Sequence, residues 1–285
     1  MRALIVALVV MILVVAAGTA ALVALQYLNR SPADLPPGTP TPAAKPTEKA
    51  DDKAEPKKPG KAEELPPLPK LSDKSKLTAM NKEKTLYLET GAGGEKRVLF
   101  EAEVILPEAA LLEVFCCRKE MKEHEAIVRV DLDARLIHAA LIAAGAKAGK
   151  PVQFVNPKTM EPEYKPASGQ TMKVEVAYRK DGELKVERAQ EWILDENTKK
   201  PMAHDWVFAG SRFVKDPDRP EAPDYYMANN GEVIALSNFV DSMLDLPVEI
   251  GREEKDLFFK AIEKKIPPRG SKVWVILTPV ADEKK

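Results

Sequence analysis

The chain is poor in the residues that mark common reactive centres. Of 285 residues, two are cysteine, three are histidine and fourteen are glycine. Two cysteines cannot supply the usual four thiolates of an iron–sulfur cluster, and no Cys-x-x-Cys redox pair exists. There is no Gly-x-Ser-x-Gly elbow, no phosphate-binding Walker loop, no Gly-x-Gly-x-x-Gly and no His-Glu-x-x-His. "GAGG" (Gly91–Gly94) lacks the following helix that a phosphate loop needs. Charge of one sign is missing too. The net charge is −1, and residues 71–285 hold 34 basic against 37 acidic side chains. Without a clustered basic face, nucleic acid is not an expected partner.

One long hydrophobic run is present. Residues 3–25 carry no charge and a single polar side chain, Thr19. As a helix they would cover roughly 34 Å, against about 30 Å of bilayer hydrocarbon. The expectation is an N-terminal transmembrane signal anchor over residues 1–28. The alternative is a cleaved signal, for which "AAGTAA" offers small residues, giving a secreted domain. Arg2 on one side and Arg30 on the other nearly balance the positive-inside count. The two-residue tail before the apolar run argues that the large domain follows it outward, to an extracytoplasmic location.

Residues 29–75 read as a disordered spacer. Between Ser31 and Lys70 lie eleven prolines, seven lysines, seven acidic residues and no aromatic. Such a segment cannot bury enough apolar area to offset its ordering entropy. Its prolines favour extended polyproline geometry, so forty residues would reach on the order of 120 Å.

From residue 76 to 285 the pattern is that of a folded domain. Lys84–Thr90, Lys96–Leu106, Ala110–Cys117 and Ala126–Leu132 read as strands. "DARLIHAALIAAG" then switches to helical spacing, with Asp133 as N-cap and Gly145 just past the C-terminus. The segment from Gln170 to Leu194 is a hairpin turning at Lys180-Asp181-Gly182, with Met172, Val174, Val176 and Tyr178 on one face. "HDWVFAGSRFV" and Glu232–Ser237 continue the sheet, a second helix is expected over Glu253–Lys264, and Lys272–Val280 is an apolar, central strand. The expected fold class is α+β: a largely antiparallel sheet with two or so helices, after the transmembrane helix and linker.

One stretch concentrates polar chemistry: "FCCRKEMKEHEAIV", Phe115–Val128. On a strand Cys116 would share a face with Leu112 and Val114, and Cys117 with Phe115. Two small buried residues, a vicinal disulfide, and a metal or redox pair are all open readings. The following Lys122, Glu123, His124 and Glu125 set an imidazole beside carboxylates, as a general base or metal ligand would need. Cys116, Cys117, Lys122, Glu123, His124 and Glu125 are therefore the candidate cluster. His138, His204 and Ser211 are secondary candidates. His138 sits at the edge of the helix stripe, His204 before a strand, and Ser211 has no evident base nearby in sequence. His124, His138 and His204 could meet at a zinc only if the fold assembled them, since their spacings match no metal motif.

"FCCRKEMKEHEAIV", "HAALIAAGAKAGKPVQF", "WVFAGSRF" and "GEVIALSNF" together resemble the YdjY-domain family of bacterial proteins, from about Lys84 to Val280. Members are typically exported or membrane-anchored, so the resemblance implies the outward orientation and marks Lys122, Glu123, His124 and Glu125 as signature residues. It carries over no reaction. The reading reached is a membrane-tethered extracytoplasmic domain that binds or scaffolds a protein or cell-envelope partner, without a cofactor. The alternative is a metal- or thiol-dependent enzyme built on Cys116, Cys117, His124 and Glu125.

Overall fold

The computed structural model describes residues 61–215, 218, 221–250 and 258–281. The apolar run at 3–25, and the expected linker up to residue 60, lie outside them. Among the described residues no helix is long and apolar enough to cross a membrane.

The main sheet has eleven strands: β1 (Lys76–Ala79), β2 (Leu86–Thr90), β3 (Lys96–Val104), β4 (Val114–Arg118), β5 (Ala126–Val130), β6 (Thr171–Lys180), β7 (Glu183–Arg188), β8 (Trp206–Phe208), β9 (Ile234–Ala235), β10 (Leu244–Asp245) and β11 (Lys272–Pro279). Eight of them close a ring, β3-β11-β6-β8-β10-β9-β4-β5 and back to β3. β4–β5 and β9–β10 are parallel pairs and the other pairings in the ring are antiparallel.

The two longest strands make closure possible by forking. Along one edge, β3 pairs with β2 through residues 96–100 and with β5 at Glu103 and Val104. Likewise β6 pairs with β8 at Thr171 and Met172, and with β7 from Glu175 onward. The barrel thus splits into a flange, β1-β2-β3-β11-β6-β7.

The lumen is a packed core. Val98, Phe100, Val104, Met172, Val174, Val176, Val273, Val275 and Leu277 alternate inward and are fully buried with Trp192, Trp206 and Phe208. An eight-stranded barrel is about wide enough for side chains to fill, and here they fill it. The hairpin expected at Asp181-Gly182 is present, both residues having positive φ, 54° and 83°.

The single α-helix among the described residues, α1 (Ala134–Ala143), begins where the sequence places it. Asp133 Oδ1 accepts from the Arg135 amide at 2.9 Å, and the Asn229 side chain bonds both Asp133 and the Ala134 amide. Ile137, Ala140 and Leu141 join the core, while Leu136 is exposed.

The α+β expectation with two helices is therefore corrected to a mostly β fold around a closed barrel. Part of the expected second helix, residues 253–257, lies outside the described residues. The remainder is strand and turn: Phe259–Ala261 pairs antiparallel with Ile193–Asp195, burying Phe259 and leaving Lys260 outward. Available strand partners overrode a helical spacing of apolar residues. "HDWVFAGSRFV" is likewise not one strand. It leaves the barrel at Gly210 and Ser211, both at positive φ, and re-forms as a ribbon, Phe213–Val214 with Tyr225–Tyr226.

Candidate functional site

The two thiols are free and completely buried. They face opposite sides of the sheet, so a bond between them is not formed. Cys116 lies in the main core, while Cys117 packs outside it with Ile105, Val114, Ala126, Ala235 and Phe239. The face assignment from simple alternation is corrected by a bulge. Ile234 and Ala235, consecutive on β9, oppose Cys116 and Val114 on β4. Phe115 is the extra residue, so Phe115 and Cys116 both turn inward and Val114 turns out with Cys117. Burial holds the Cys116 thiol well above its ordinary value, and lifts Cys117 to about 12 with help from the Glu123 charge. Neither thiol is a nucleophile as folded, because the thiolate is the reactive form. We expect iodoacetamide to alkylate both only on unfolding, roughly a thousandfold faster in denaturant than in the native chain. Rapid stoichiometric labelling of the native protein would restore a thiol chemistry here.

Residues 119–125 form the loop between β4 and β5. Lys122 takes a left-handed conformation (φ 48°), followed by one 3₁₀ turn, Glu123–Glu125. This conformation throws the Lys122 side chain inward over Gly231. Gly231 has φ 125°, where a side chain would be strained, and a Cβ there would crowd the lysine stem at 3.1–3.2 Å. The Lys122 ammonium meets three carboxylates, Glu125 at 3.0 Å, Glu113 at 3.4 Å and Glu232 at 3.5 Å, and stands 4.0 Å from the Phe239 ring centroid. Glu232 is 6% exposed, and its Oε2 has no hydrogen-bond partner among the described residues. Burial, then the Glu125 charge, raises the Glu113 carboxyl; burial raises Glu232. Burial opposes the Lys122 charge, yet bonding and attraction to Glu125, with Glu232 and Glu113 behind it, hold its ammonium on above the ordinary lysine value.

The other signature residues point away from this cluster. Glu123 accepts from the Glu120 amide at 2.8 Å and is gripped by Arg129 Nη1 at 3.0 Å to each oxygen. Burial alone would raise the Glu123 carboxyl, but these bonds hold it below the ordinary glutamate value. Arg129 also donates to Glu103 at 2.9 Å. His124 is 82% exposed at its side chain, with Nε2 3.6 Å from Glu125. Glu103, Ile105, Leu106, Glu123, His124, Arg129 and Arg269 line an open cleft of about 350 Å³.

Of the secondary candidates, His138 and Ser211 are brought near one another through Tyr226 and Gly210. The Tyr226 hydroxyl donates to the Gly210 carbonyl at 3.0 Å, leaving its oxygen to accept from His138 Nδ1 at 2.8 Å. The imidazole stacks edge-on against Phe208 and Tyr226, and burial lowers its pKa against a bond to Gly210. Ser211 Oγ donates to the Asp241 carbonyl at 2.6 Å, so its proton is committed to a backbone acceptor rather than to a base. His204 is elsewhere, its carbonyl accepting from Gln190. Each histidine has its own surroundings. No group of three or more His, Cys, Asp and Glu among the described residues is placed to hold a metal ion.

Sequence reasoning missed Glu113, Glu232, Phe239, Glu103, Arg129 and Arg269. One signal was available: Glu232 is a lone charge opening the apolar run "EVIAL", where a buried charge needs a partner. A second buried polar group lies close by in sequence. Asp245, fully buried, accepts from Asn238 Nδ2 and the amides of Leu246 and Phe239.

No curated protein and no solved structure matches the chain. A family model, described as the YdjY domain, matches residues 93–278, which takes in β3, the Lys122 loop, the cleft and most of the barrel. The match spans well over half of the sequence, and on it the chain belongs to the YdjY domain family.

Proposed function

We propose that the barrel is a binding module of the cell envelope, held to the membrane by residues 1–28, with no chemistry of its own and no cofactor. One observation carries the reading. The candidate residues divide into a locked set and an open set, and neither is arranged as a catalyst. Cys116 and Cys117 are buried, and Lys122 is held among Glu113, Glu125 and Glu232. Glu123, His124, Arg129 and Arg269 instead line an open cleft together with the apolar Ile105 and Leu106. Apolar side chains, mixed charges and an exposed imidazole are the features of a polar protein-binding surface. The lumen is filled with aromatic and branched side chains.

Two experiments test this. Fractionation of the full chain should place it in the membrane, with the barrel open to protease added from outside; recovery of the intact chain from cytosol would end the tethered reading. A photo-cross-linking residue at position 124 should give a discrete adduct in cells. The same residue at Lys185, on the edge strand β7, should not. We expect Arg269→Glu to reduce the adduct roughly tenfold, in line with loss of a complementary rim charge. Equal, diffuse labelling at both positions would count against a cleft-specific partner.

A further inference from the structure

We infer that the outer face of the flange is a polyproline-recognition groove, and that Glu63–Leu71 of this chain is its resident ligand, bound in cis. The segment reads Glu-Glu-Leu-Pro-Pro-Leu-Pro-Lys-Leu. Composition alone would make it part of a solvated spacer, but it lies on the barrel with a period of three. Pro66 and Pro69 are buried, Glu64, Pro67 and Lys70 are exposed, and Leu65 and Leu68 are half-buried. Three residues per turn is the repeat of a polyproline II helix, which has no internal hydrogen bonds and leaves its carbonyls free for a partner.

The barrel uses every third carbonyl. The Lys272 amide donates to Glu63 O at 2.9 Å, Trp274 Nε1 to Pro66 O at 2.9 Å, and Arg97 Nη2 to Pro69 O at 2.8 Å. The ends are fastened as well: the Glu63 amide donates to Ser271 Oγ at 2.9 Å and the Leu71 amide to Glu89 Oε1 at 2.7 Å. Between these bonds Leu65 and Leu68 pack with Leu77, Tyr87, Leu99, Ala177, Trp274 and Ile276. Tyr87 and Trp274 stand edge to face, with ring centroids 5.8 Å apart.

An aromatic pair, an indole N–H aimed at a proline carbonyl and apolar slots at three-residue spacing are what a polyproline helix requires of a receptor. The groove also accounts for an otherwise costly ion pair. Glu89 and Arg97 face each other across β2 and β3 at 2.6 Å and are almost completely buried. Desolvating them gains little for the sheet. Their remaining hydrogen-bonding atoms hold Pro69 and Leu71, so the pair serves the strap. The ligand class is a proline-rich segment of the Leu-Pro-x-Leu-Pro type. In cis its effective concentration is on the order of millimolar, which excludes weaker competitors.

The test uses the full chain and a fluorescent peptide of residues 61–72. In a chain carrying Leu65→Asp and Leu68→Asp, which unseats the strap, the peptide should bind saturably by anisotropy. The parent chain should show no binding, its groove being filled. Replacing both Pro66 and Pro69 of the peptide with alanine, or Trp274 of the unseated chain with leucine, should weaken binding roughly tenfold or more. No binding to an unseated chain that still unfolds cooperatively would overturn the proposal, as would equal affinity for the alanine peptide. Should the unseated chain not fold, a protease site placed in the exposed turn at Asp73-Lys74 gives an independent reading. After nicking, the N-terminal fragment should stay bound and be displaced by excess peptide; its immediate release would refute the groove. A parent chain that elutes as a dimer and exchanges labelled straps between copies would overturn the assignment in cis.

Discussion

Replacing Lys122 with alanine is expected to destabilise the chain by about 3 kcal/mol, the range for removing one partner of a buried ionic cluster. The ammonium is the shared partner of Glu113, Glu125 and Glu232, so its loss leaves three carboxylates facing one another. Some 23% of the lysine side chain still meets water, which keeps the loss at the low end. Glu232 suffers most, since the residue is buried, its Oε2 has no hydrogen-bond partner among the described residues, and Lys122 is the cation facing its Oε1. The double variant Lys122→Ala with Glu232→Gln should therefore recover a good part of the loss. Its pH dependence has a fixed sign. Glu113 and Glu232 are already raised above their ordinary value, so the stability tied to their protonated forms is present at low pH and lost as pH rises through their folded values. Removing Lys122 lifts them further, and the variant should be closest to the parent in mild acid. Urea unfolding measures both effects. A loss below about 1 kcal/mol, within the range of an ordinary surface pair, would show that the cluster is not coupled.

The second large effect concerns Asp245. Burial pushes its carboxyl up from 3.8 to about 6, although bonds from Asn238, Leu246 and Phe239 pull the other way. A carboxyl raised on folding contributes stability that is full below its unfolded value and lost as pH rises through its folded one. For a rise from 3.8 to about 6 this amounts to about 3 kcal/mol, disappearing between about pH 4 and pH 7. Asp245→Asn keeps the volume and two of the acceptor contacts and removes the titration. Measured against it, the parent's advantage should shrink by about that amount over this interval. A stability difference flat from pH 4 to pH 7 would refute the assignment. Asp245→Ala should be worse at every pH, because three buried donors lose their acceptor.

How much of this was legible in the sequence varies from element to element. The Asp133 cap and its helix, the Asp181-Gly182 turn and the alternating strand β6 were all readable, because each is set by local chemistry within a few residues. The barrel was not. Its closure depends on β3 and β6 each carrying two partners along one edge, and nothing in either strand's own residues announces a second partner. The inward turn of both Phe115 and Cys116 was hidden for the same reason: a bulge is set by the strand opposite.

By itself the sequence determined where apolar and polar residues alternate, that its cysteines are too few and too close for a cluster, and that charge of neither sign dominates. These are properties of composition and near neighbours. The tertiary structure decided the rest. It drew Glu113, Lys122 and Glu232 together from three separate segments, decided among the open readings of Cys116 and Cys117 by burying both as free thiols, and laid a proline-rich strap on Tyr87 and Trp274. Each of those outcomes depends on distances between residues far apart in the chain, which only the closed sheet fixes.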